Sequence, residues 1–421
     1  MWYKILSITI FTSAYILFFI FPNKRSLSAF VCAVICLATG TIPLREALYA
    51  IDLNVLGIFV GMLFIADFFT VSKCPAYLAT ILAHKTQSVP LIFLSICILT
   101  SFISAFVENV ATVLIIAPIC FEITKRLNIN PTILIIAIAI SSNLQGTATL
   151  IGDPPSMILA GYTGMNFIDF FVYHGKPGIF FAIQIGAIFT LIYLYFLFKK
   201  FQAVSEVEIE RVTTWFPTIL LVILIALLAI ASVFEKSLLT SPGLICCIVA
   251  MVGICWAIFS KKVSIRKTMS ELDWDTTFFL IGVFILVGVL SYQKLTNDIA
   301  EFIFQTLGKS PITTYTCLIV ISVILSGFVD NVPYISAMLP IAKLLAEKGG
   351  YSPTLLYFGL LIGSCLGGNL TPIGASANIV GCGLLRKKGY EVSILEWLKI
   401  SIPFTILAVV PASIFIWWIW K

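Results

Sequence analysis

Charged residues are scarce in this sequence. Asp, Glu, Lys and Arg make up 11% of its 421 residues, whereas hydrophobic residues make up 60%. A soluble globular domain carries about 25% charged and about 45–50% apolar residues, so no water-soluble fold could bury this many Phe, Leu and Ile side chains. The scarcity of charge excludes a soluble protein and predicts a chain surrounded by lipid.

Other features are also missing. The net charge is only +6 and no long run of Lys and Arg is present, so nucleic-acid binding is not indicated. The eleven Cys form no C-x-x-C pair and lie scattered in apolar segments, which favours small buried side chains. Thiol ligation of a soft substrate is the alternative interpretation. No cofactor is expected.

The first apolar segment, residues 3–21, resembles the apolar part of a signal peptide. It lacks a small-residue cleavage site and ends in Pro22-Asn23-Lys24-Arg25, which is typical of the positive flank of a retained helix. A bilayer span requires about 20 apolar residues, and candidates lie near 27–42, 51–70, 177–199, 213–233, 239–259, 275–293 and 401–420. Four further apolar regions, 90–126, 131–163, 311–348 and 351–385, are interrupted midway by polar, Gly or Pro residues.

The chain contains an internal repeat. Phe106-Val107-Glu108-Asn109-Val110, followed by Pro118, recurs 222 residues later as Phe328-Val329-Asp330-Asn331-Val332, followed by Pro340. Asp52 and Gly61 match Asp273 and Gly282 at an offset of 221, and Asn143-Leu144 matches Asn369-Leu370 at an offset of 226. The sequence therefore predicts two halves, 1–200 and 213–421, joined by a charged linker at 201–212.

Each half is predicted to contain three spans, an interrupted hairpin, a broken span and a last span. If each hairpin re-enters on its own side, five crossings separate equivalent points, and the halves face opposite ways as in many secondary transporters. The predicted fold is an all-α polytopic membrane protein with two inverted repeats, about ten transmembrane helices, two re-entrant hairpins and two broken helices. This topology puts 17 of the 26 Lys and Arg residues on one side, which predicts a cytoplasmic linker and both termini outside the cell.

Two acidic residues lie at equivalent positions deep in the hairpins. Glu108 and Asp330 interrupt apolar sequence, where a carboxylate costs about 2.5–3.5 kcal/mol on insertion scales. Each is followed by an amide, Asn109 or Asn331, so each tip offers oxygen ligands to a substrate, a cation or a proton. The alternative interpretation is that Glu108 and Asp330 only cap the second helix of each hairpin.

The broken spans supply a second set of candidate ligands. Gly and paired Pro residues disfavour a continuous helix, and the unwound backbone of such a break in a membrane presents carbonyls to cations and amides to anions. The predicted coupling-ion residues are Asn143, Gly146, Thr147, Thr149, Asp153, Asn369, Thr371, Gly374, Ser376 and Asn378. For the Gly and Thr residues the alternative is close helix packing. For Asp153, which precedes Pro154, the alternative is an N-cap.

The stretches 106–118, 142–160, 328–340 and 367–378 resemble, in order and spacing, the ion transporter superfamily. Within it, the sequence is similar to the arsenite permease, P-protein and sodium/proton antiporter branch with its citrate-transporter-like domain. The run 146–155, Gly-Thr-Ala-Thr-Leu-Ile-Gly-Asp-Pro-Pro, carries this resemblance most specifically. The resemblance implies re-entrant hairpins, a scaffold that forms a homodimer, and a transport domain that moves like an elevator.

The resemblance also extends to the distantly related divalent anion:sodium symporters. It implies substrate contacts at Asn109 and Asn331, and sodium binding at the loops of Asn143 and Asn369. The dicarboxylate carriers have Ser-Asn-Thr tips, whereas the tips of this chain are Glu-Asn-Val and Asp-Asn-Val. This difference argues against a di- or tricarboxylate substrate.

A non-enzymatic carrier in the cell membrane is the function that these features favour. Acids, amides and hydroxyls dominate the candidate site without an embedded Lys or Arg, which suits Na⁺ or H⁺ because hard cations prefer oxygen ligands. The carrier moves either a small anion or arsenite-like metalloid solute with a coupling cation, or Na⁺ against H⁺. A channel would need a ring of carbonyls or charges, and an intramembrane aspartyl protease would need paired acids that share a proton.

Overall fold

The computed structural model describes residues 1–21, 24–85, 88–201, 209–234, 237–260, 263–307 and 310–421. Within these residues the chain is almost entirely helical, which confirms the predicted all-α class. Most of the predicted linker 201–212 lies outside the described residues, as do Pro22, Asn23, Lys261 and Lys262, on which the sequence analysis drew.

Twenty α-helices follow one another in the described residues, ten in each half. The first half contains α1 (Trp2–Ile20), α2 (Arg25–Ala38), α3 (Leu44–Ala50), α4 (Leu53–Val71), α5 (Cys74–Lys85), α6 (Val89–Ser104), α7 (Asn109–Arg126), α8 (Thr132–Gly146), α9 (Pro154–Thr163) and α10 (Ile179–Phe198). The second half contains α11 (Phe216–Ala231), α12 (Pro242–Ser260), α13 (Ile265–Glu271), α14 (Trp274–Tyr292), α15 (Leu295–Leu307), α16 (Pro311–Ser326), α17 (Asn331–Gly349), α18 (Pro353–Gly367), α19 (Ser376–Lys387) and α20 (Ile394–Trp420). Each helix of the second half has its counterpart ten helices earlier in the chain, so that α11 corresponds to α1 and α20 to α10.

Four short helices were missed by the sequence analysis. Helices α3 and α13 have seven residues each and lead into α4 and α14, whereas α5 and α15 precede the two hairpins. A hydropathy search does not mark them because they are short and α3, α13 and α15 carry acidic residues. Strands Val172–Tyr173 and Lys176–Pro177 also pair antiparallel around a turn at Gly175, a minor addition to the helical fold.

Six stretches of helix in the described residues are individually long and apolar enough to cross a membrane. They are α4, α10, α12, α14, the stretch Pro353–Leu370 that contains α18, and α20. The apolar helices α2, α5, α6, α8 and α11 have only 12–16 residues, and at about 1.5 Å per residue they fall short of a hydrocarbon core about 30 Å thick. Single full-length helices therefore supply fewer than the ten spans expected, and short helices, hairpins and broken helices make up the rest.

The last helices of the two halves show how the halves are related. Tyr193 Oη, near the end of α10, donates to Ile400 O near the start of α20 at 3.2 Å. Trp420 Nε1, at the end of α20, donates to Pro177 O just before α10 at 3.1 Å. Equivalent helices α10 and α20 therefore run antiparallel, which is the arrangement of an inverted repeat.

Two helix pairs form a scaffold, which we define as α2 with α14 and α4 with α12. Small residues allow each pair to approach closely. A Cβ on Gly61 of α4 would lie 2.6 Å from the carbonyl carbon of Cys246, and a Cβ on the equivalent Gly282 of α14 would lie 2.7 Å from Ala29 Cβ. The hairpins and broken helices, α6–α9 and α16–α19, form a second body that we call the central unit. Within it α7 packs on α19, and α17 packs on α9.

Candidate functional site

Each hairpin tip carries its acidic residue at the start of a helix. Glu108 is the N-cap of α7 and accepts a hydrogen bond from Ala111 N at 3.1 Å. Asp330 is the N-cap of α17 and accepts one from Val332 N at 3.0 Å. Both residues therefore cap their helices, and both also line a cavity.

This central cavity brings the two halves together. Its volume is about 40 Å³, enough for one ion or one water molecule, whose share of liquid volume is about 30 Å³. Both hairpin tips, the starts of α9 and α19, and the start of α14 meet around it. The charged residues that line it are Arg25, Glu108, Asp153, Asp273 and Asp330. Four carboxylates and one guanidinium thus share a space of atomic size.

The position of Arg25 corrects the expectation that no embedded Lys or Arg accompanies the site. The sequence analysis assigned Arg25 to a positive flank, but it is the first residue of α2 and its guanidinium reaches the cavity. Its Nη1 donates to Asp330 Oδ2 at 2.5 Å, and its Nη2 donates to Thr276 Oγ1 at 2.7 Å. The close packing of α2 on α14 causes this, because it brings the start of α2 to the level of the second hairpin tip.

Asp153 differs from its expected role as a helix cap. It occupies the N-cap position of α9, but its side chain makes no capping hydrogen bond. It is only 6% exposed and lines the central cavity beside Glu108 and Asn109. Pro154 and Pro155 open α9 and have no N–H to offer, and the N–H of Ser156 bonds to the Asp153 backbone carbonyl at 3.0 Å, so the carboxylate is left to the cavity.

Four buried amides connect the two halves behind the cavity wall. Asn109 Nδ2 donates to Asn143 Oδ1 at 3.1 Å, and Asn143 Nδ2 donates to Asn369 Oδ1 and to Asn378 Oδ1, both at 2.9 Å. Asn378 Nδ2 in turn donates to the carbonyls of Gly368 and Thr371, both at 2.9 Å. The sequence-predicted residues Asn143, Asn369 and Asn378 thus orient Asn109 and do not themselves line the cavity.

Two atoms of this amide network have no hydrogen-bond partner. They are Asn109 Oδ1 and Asn369 Nδ2, both fully buried. A Cβ on Gly146 would lie 2.7 Å from Asn109 Oδ1 and 3.2 Å from Asp153 Cβ. Buried polar atoms are normally satisfied, and Asn109 and Asp153 line the same cavity, so the free acceptor on Asn109 is a candidate ligand for a cation or a water molecule.

The remaining predicted residues stabilise the breaks. Thr149 Oγ1 donates to Ala105 O, and Thr371 Oγ1, 222 residues later, donates to Gly327 O. Thr147 Oγ1 donates to Asn143 O at 3.1 Å within its own helix. None of these three Thr residues lines the central cavity, whereas Gly374 and Ser376 do. The Thr hydroxyls therefore act in packing, the alternative that the sequence left open.

The two breaks align at an offset of 222, which corrects the pairing of Asn143 with Asn369. In the first break, a Cβ on Gly152 would lie 2.5 Å from Gly146 O. The pair 222 residues later has the same close contact, because a Cβ on Gly374 would lie 2.6 Å from Gly368 O. At this offset Asn369 corresponds to Thr147, and Asn143 lies one helical turn earlier. The two amides are hydrogen-bond partners across the halves and not repeats of each other.

The sequence analysis missed three further lining residues, Thr276 and Phe279 of α14 and Arg25. Asp273 had been noted only as a repeat marker. It accepts hydrogen bonds from Thr276 N at 2.9 Å and Thr276 Oγ1 at 2.6 Å. The sequence did contain a signal for Asp273 as a site residue. Its equivalence to Asp52 in the repeat pointed to a common role at the start of α4 and α14.

Comparisons with known proteins agree with this architecture. A family model described as citrate transporter matches residues 15–363 and 248–421. An uncharacterized transporter of Mycobacterium tuberculosis is 30% identical over 424 residues, with 98% of each chain covered. The P protein of Sus scrofa is 24% identical over 488 residues, covering 95% of this chain and 57% of that protein.

Two solved structures have the same fold. The YdaH transporter of Alcanivorax borkumensis matches with a TM-score of 0.57 at 16% identity, covering 88% of this chain and 86% of that one. MtrF of Neisseria gonorrhoeae, from a class of antimetabolite efflux pumps, matches with a TM-score of 0.58 at 15% identity, covering 92% and 84%. At such identities the similarity shows the fold alone. The family match along the chain and the curated relatives confirm the resemblance to the ion transporter superfamily, and the chain belongs to the citrate transporter family of membrane transporters.

Proposed function

We propose that the protein is a secondary active transporter that couples the movement of a small solute to Na⁺ or H⁺. The coupling cation binds between Asn109, Asp153 and Glu108. The observation that carries this proposal is the buried, unpartnered Asn109 Oδ1 of a residue that lines the same cavity as the uncapped Asp153. Oxygen ligands of this kind suit hard cations, and the cavity volume suits a single ion with little or no hydration.

The transported solute is small and carries little negative charge. A tricarboxylate would meet four carboxylates and one guanidinium in the central cavity, and that guanidinium already pairs with Asp330. A metalloid hydroxide or a small oxyanion held at the start of α19 meets less repulsion, because helix N-termini bind anions and polar groups. Sodium/proton antiport without another solute is the second candidate, favoured by the small cavity volume and the excess of carboxylates.

Transport proceeds by sliding of the central unit along the scaffold, as in an elevator. A larger cavity of about 420 Å³ lies one helical turn from the central one. Pro155 and Val332 line the central cavity, and Ile158 and Ser336, on the same two helices, line the larger one. With the predicted orientation the larger cavity lies on the external side.

The protein functions in the cell membrane, with both termini outside and the linker in the cytoplasm. Two copies associate through the scaffold, whose outer faces remain apolar and exposed in a single chain, for example at Ile248, Val252 and Phe259 of α12. A scaffold held still by dimerisation gives the central unit a fixed frame to move against.

Reconstituted protein tests the proposal. Currents on a solid-supported membrane are recorded after steps of Na⁺, of pH, and of arsenite, phosphate or citrate. Asp153→Asn should weaken the cation-dependent response by roughly 30-fold or more, since a buried charged ligand is lost. Glu122→Gln is the matched control, because Glu122 lies on α7 with its side chain 56% exposed. A wild-type cation dependence in Asp153→Asn would place the cation site elsewhere.

A further inference from the structure

Arg25 connects two bodies that, under the proposed function, move relative to each other. It belongs to the scaffold, as the first residue of α2, whereas its ion-pair partner Asp330 belongs to the second hairpin tip of the central unit. Arg25 Nη1 and Asp330 Oδ2 are 2.5 Å apart, and the two side chains are 18% and 25% exposed. This contact is therefore a close, largely desolvated ion pair across the interface between the two bodies.

Most contacts of Arg25 hold it on the scaffold. Its Nη2 donates to Thr276 Oγ1 at 2.7 Å, its Nε lies 3.5 Å from Asp275 Oδ2, and its guanidinium carbon lies 5.1 Å from the centre of the Phe279 ring. All three partners belong to α14. Toward the central unit it contacts Asp330 and, at 3.5 Å, Ser376 Oγ. If the central unit moves, Arg25 stays with α14 and Asp330 is released.

In the described part of the first half, no cation takes the corresponding place. Gly61 packs on Cys246 as its counterpart Gly282 packs on Ala29, so the residue of α12 that corresponds to Arg25, four positions earlier, is Pro242. Among the described residues no Lys or Arg forms an ion pair with Glu108, the counterpart of Asp330. One hairpin tip is thus neutralised by the protein itself, and the other is open to a cation from solution.

We infer that Arg25 is a tethered counter-cation that occupies the Asp330 carboxylate in this conformation and competes there with the transported cation. This inference rests on the proposed function. A cation from solution competes with Arg25 for Asp330, because it would be repelled by the guanidinium, whose Nη1 lies 2.5 Å from Asp330 Oδ2. The central unit can therefore leave this position only when another cation takes the place of Arg25, which links movement to cation loading.

Cation binding to the purified full-length protein tests this inference. Thermal stability is titrated with NaCl against choline chloride at constant ionic strength, because a ligand that binds the folded state raises the melting temperature with its concentration. Arg25→Gln should lower the apparent Kd for Na⁺ about tenfold or more, since the competitor is gone. Arg25→Gln combined with Asp330→Asn should lose this gain. Lys24→Gln is the matched control, since it removes a neighbouring exposed charge and should leave the Kd unchanged.

Arg25→Lys is a second variant with which the inference can be tested if Arg25→Gln does not fold. A Lys retains the charge but not the forked contact with Asp330 and Thr276, so the apparent Kd for Na⁺ should fall by a smaller factor, about threefold. A purely structural Arg25 would lower the melting temperature of both variants without changing the Na⁺ dependence, and this result would overturn the inference. If the wild type shows no cation-dependent stabilisation at all, the proposed function fails instead.

Discussion

The two halves have the same order of helices, yet their acidic tips stand in different surroundings. In the second half, Asp330 is paired with Arg25 of the scaffold. In the first half, Glu108 lies next to Asp153, and the unpartnered oxygen of Asn109 is close by. At the offset of 222 the residue that corresponds to Asp153 is Ala375. Under the proposed function, one tip holds a cation of the protein itself, Arg25, and the other receives a cation from solution.

The halves also differ in how the central unit meets the scaffold. Asp52, at the start of α4, lies beside the last turn of α9, where a Cβ on Gly161 would lie 2.3 Å from Asp52 Oδ2. At the start of α14, the equivalent Asp273 lies near Ser376, the first residue of α19. Ser376 corresponds to Pro154, seven residues before Gly161, which is about 10 Å along a helix. A symmetric molecule would show no such displacement, so the central unit is shifted toward one side of the scaffold.

The largest effects on cation binding and transport are expected from substitutions of the two acidic tip residues, because the tips differ in their surroundings. Glu108→Gln should abolish cation-dependent stabilisation, because the open tip loses its charge but keeps its size and an acceptor for capping. Asp330→Asn should retain cation binding, since Arg25 already fills that tip, yet block transport because the second site cannot load. Cation titration and transport currents measured on both variants distinguish these roles. Equal loss of binding in both would show that the tips act as one site.

The sequence predicted this site only in part. The repeated Glu108 and Asp330 were detectable because a carboxylate in an apolar segment stands out. Arg25 was not, since a basic residue after an apolar span looks like a flank, and only the packing of α2 on α14 places it at the cavity. Asn143 and Asn369 were aligned because both are Asn, although Thr149 and Thr371 already showed the offset of 222 that the backbone follows.

Gly→Ala substitutions in the two helix breaks should lower the stability of the protein equally in the two halves. Gly152→Ala and Gly374→Ala each put a Cβ within about 2.6 Å of a backbone carbonyl oxygen, of Gly146 and of Gly368 respectively. Neither backbone can yield easily, so each variant should lose about 1–3 kcal/mol of stability, seen as a lower melting temperature. Gly383→Ala is the control, because a Cβ there meets nothing within 4 Å. If only one of the two break variants is destabilised, the breaks are not equivalent.

The shift of the central unit predicts a contact that is absent from this conformation. When the unit moves to the opposite position, Asp273 should approach Gly383, the counterpart of Gly161. Asp273→Cys with Gly383→Cys, in a background where Cys382 is Ser, should form a disulfide during turnover and stop transport. The same pair should stay reduced when the unit is held in the present position. A pair that never forms under any cation or substrate condition would contradict sliding by two helical turns.

The smallest effect on cation affinity is expected from substitutions in the amide network, which joins the two halves behind the cavity wall. Asn143→Ala removes one acceptor and two donated hydrogen bonds, so Asn109 is no longer held toward the cation. An unmet polar contact of this kind costs about 1–3 kcal/mol, which corresponds to roughly 5- to 150-fold in cation affinity. Asn369→Ala should weaken binding less, because its Nδ2 already lacks a partner and its side chain only accepts from Asn143. If Asn369→Ala is the more damaging of the two, the cation binds on the second-half side of the network, and the assignment of the open site to the first half is wrong.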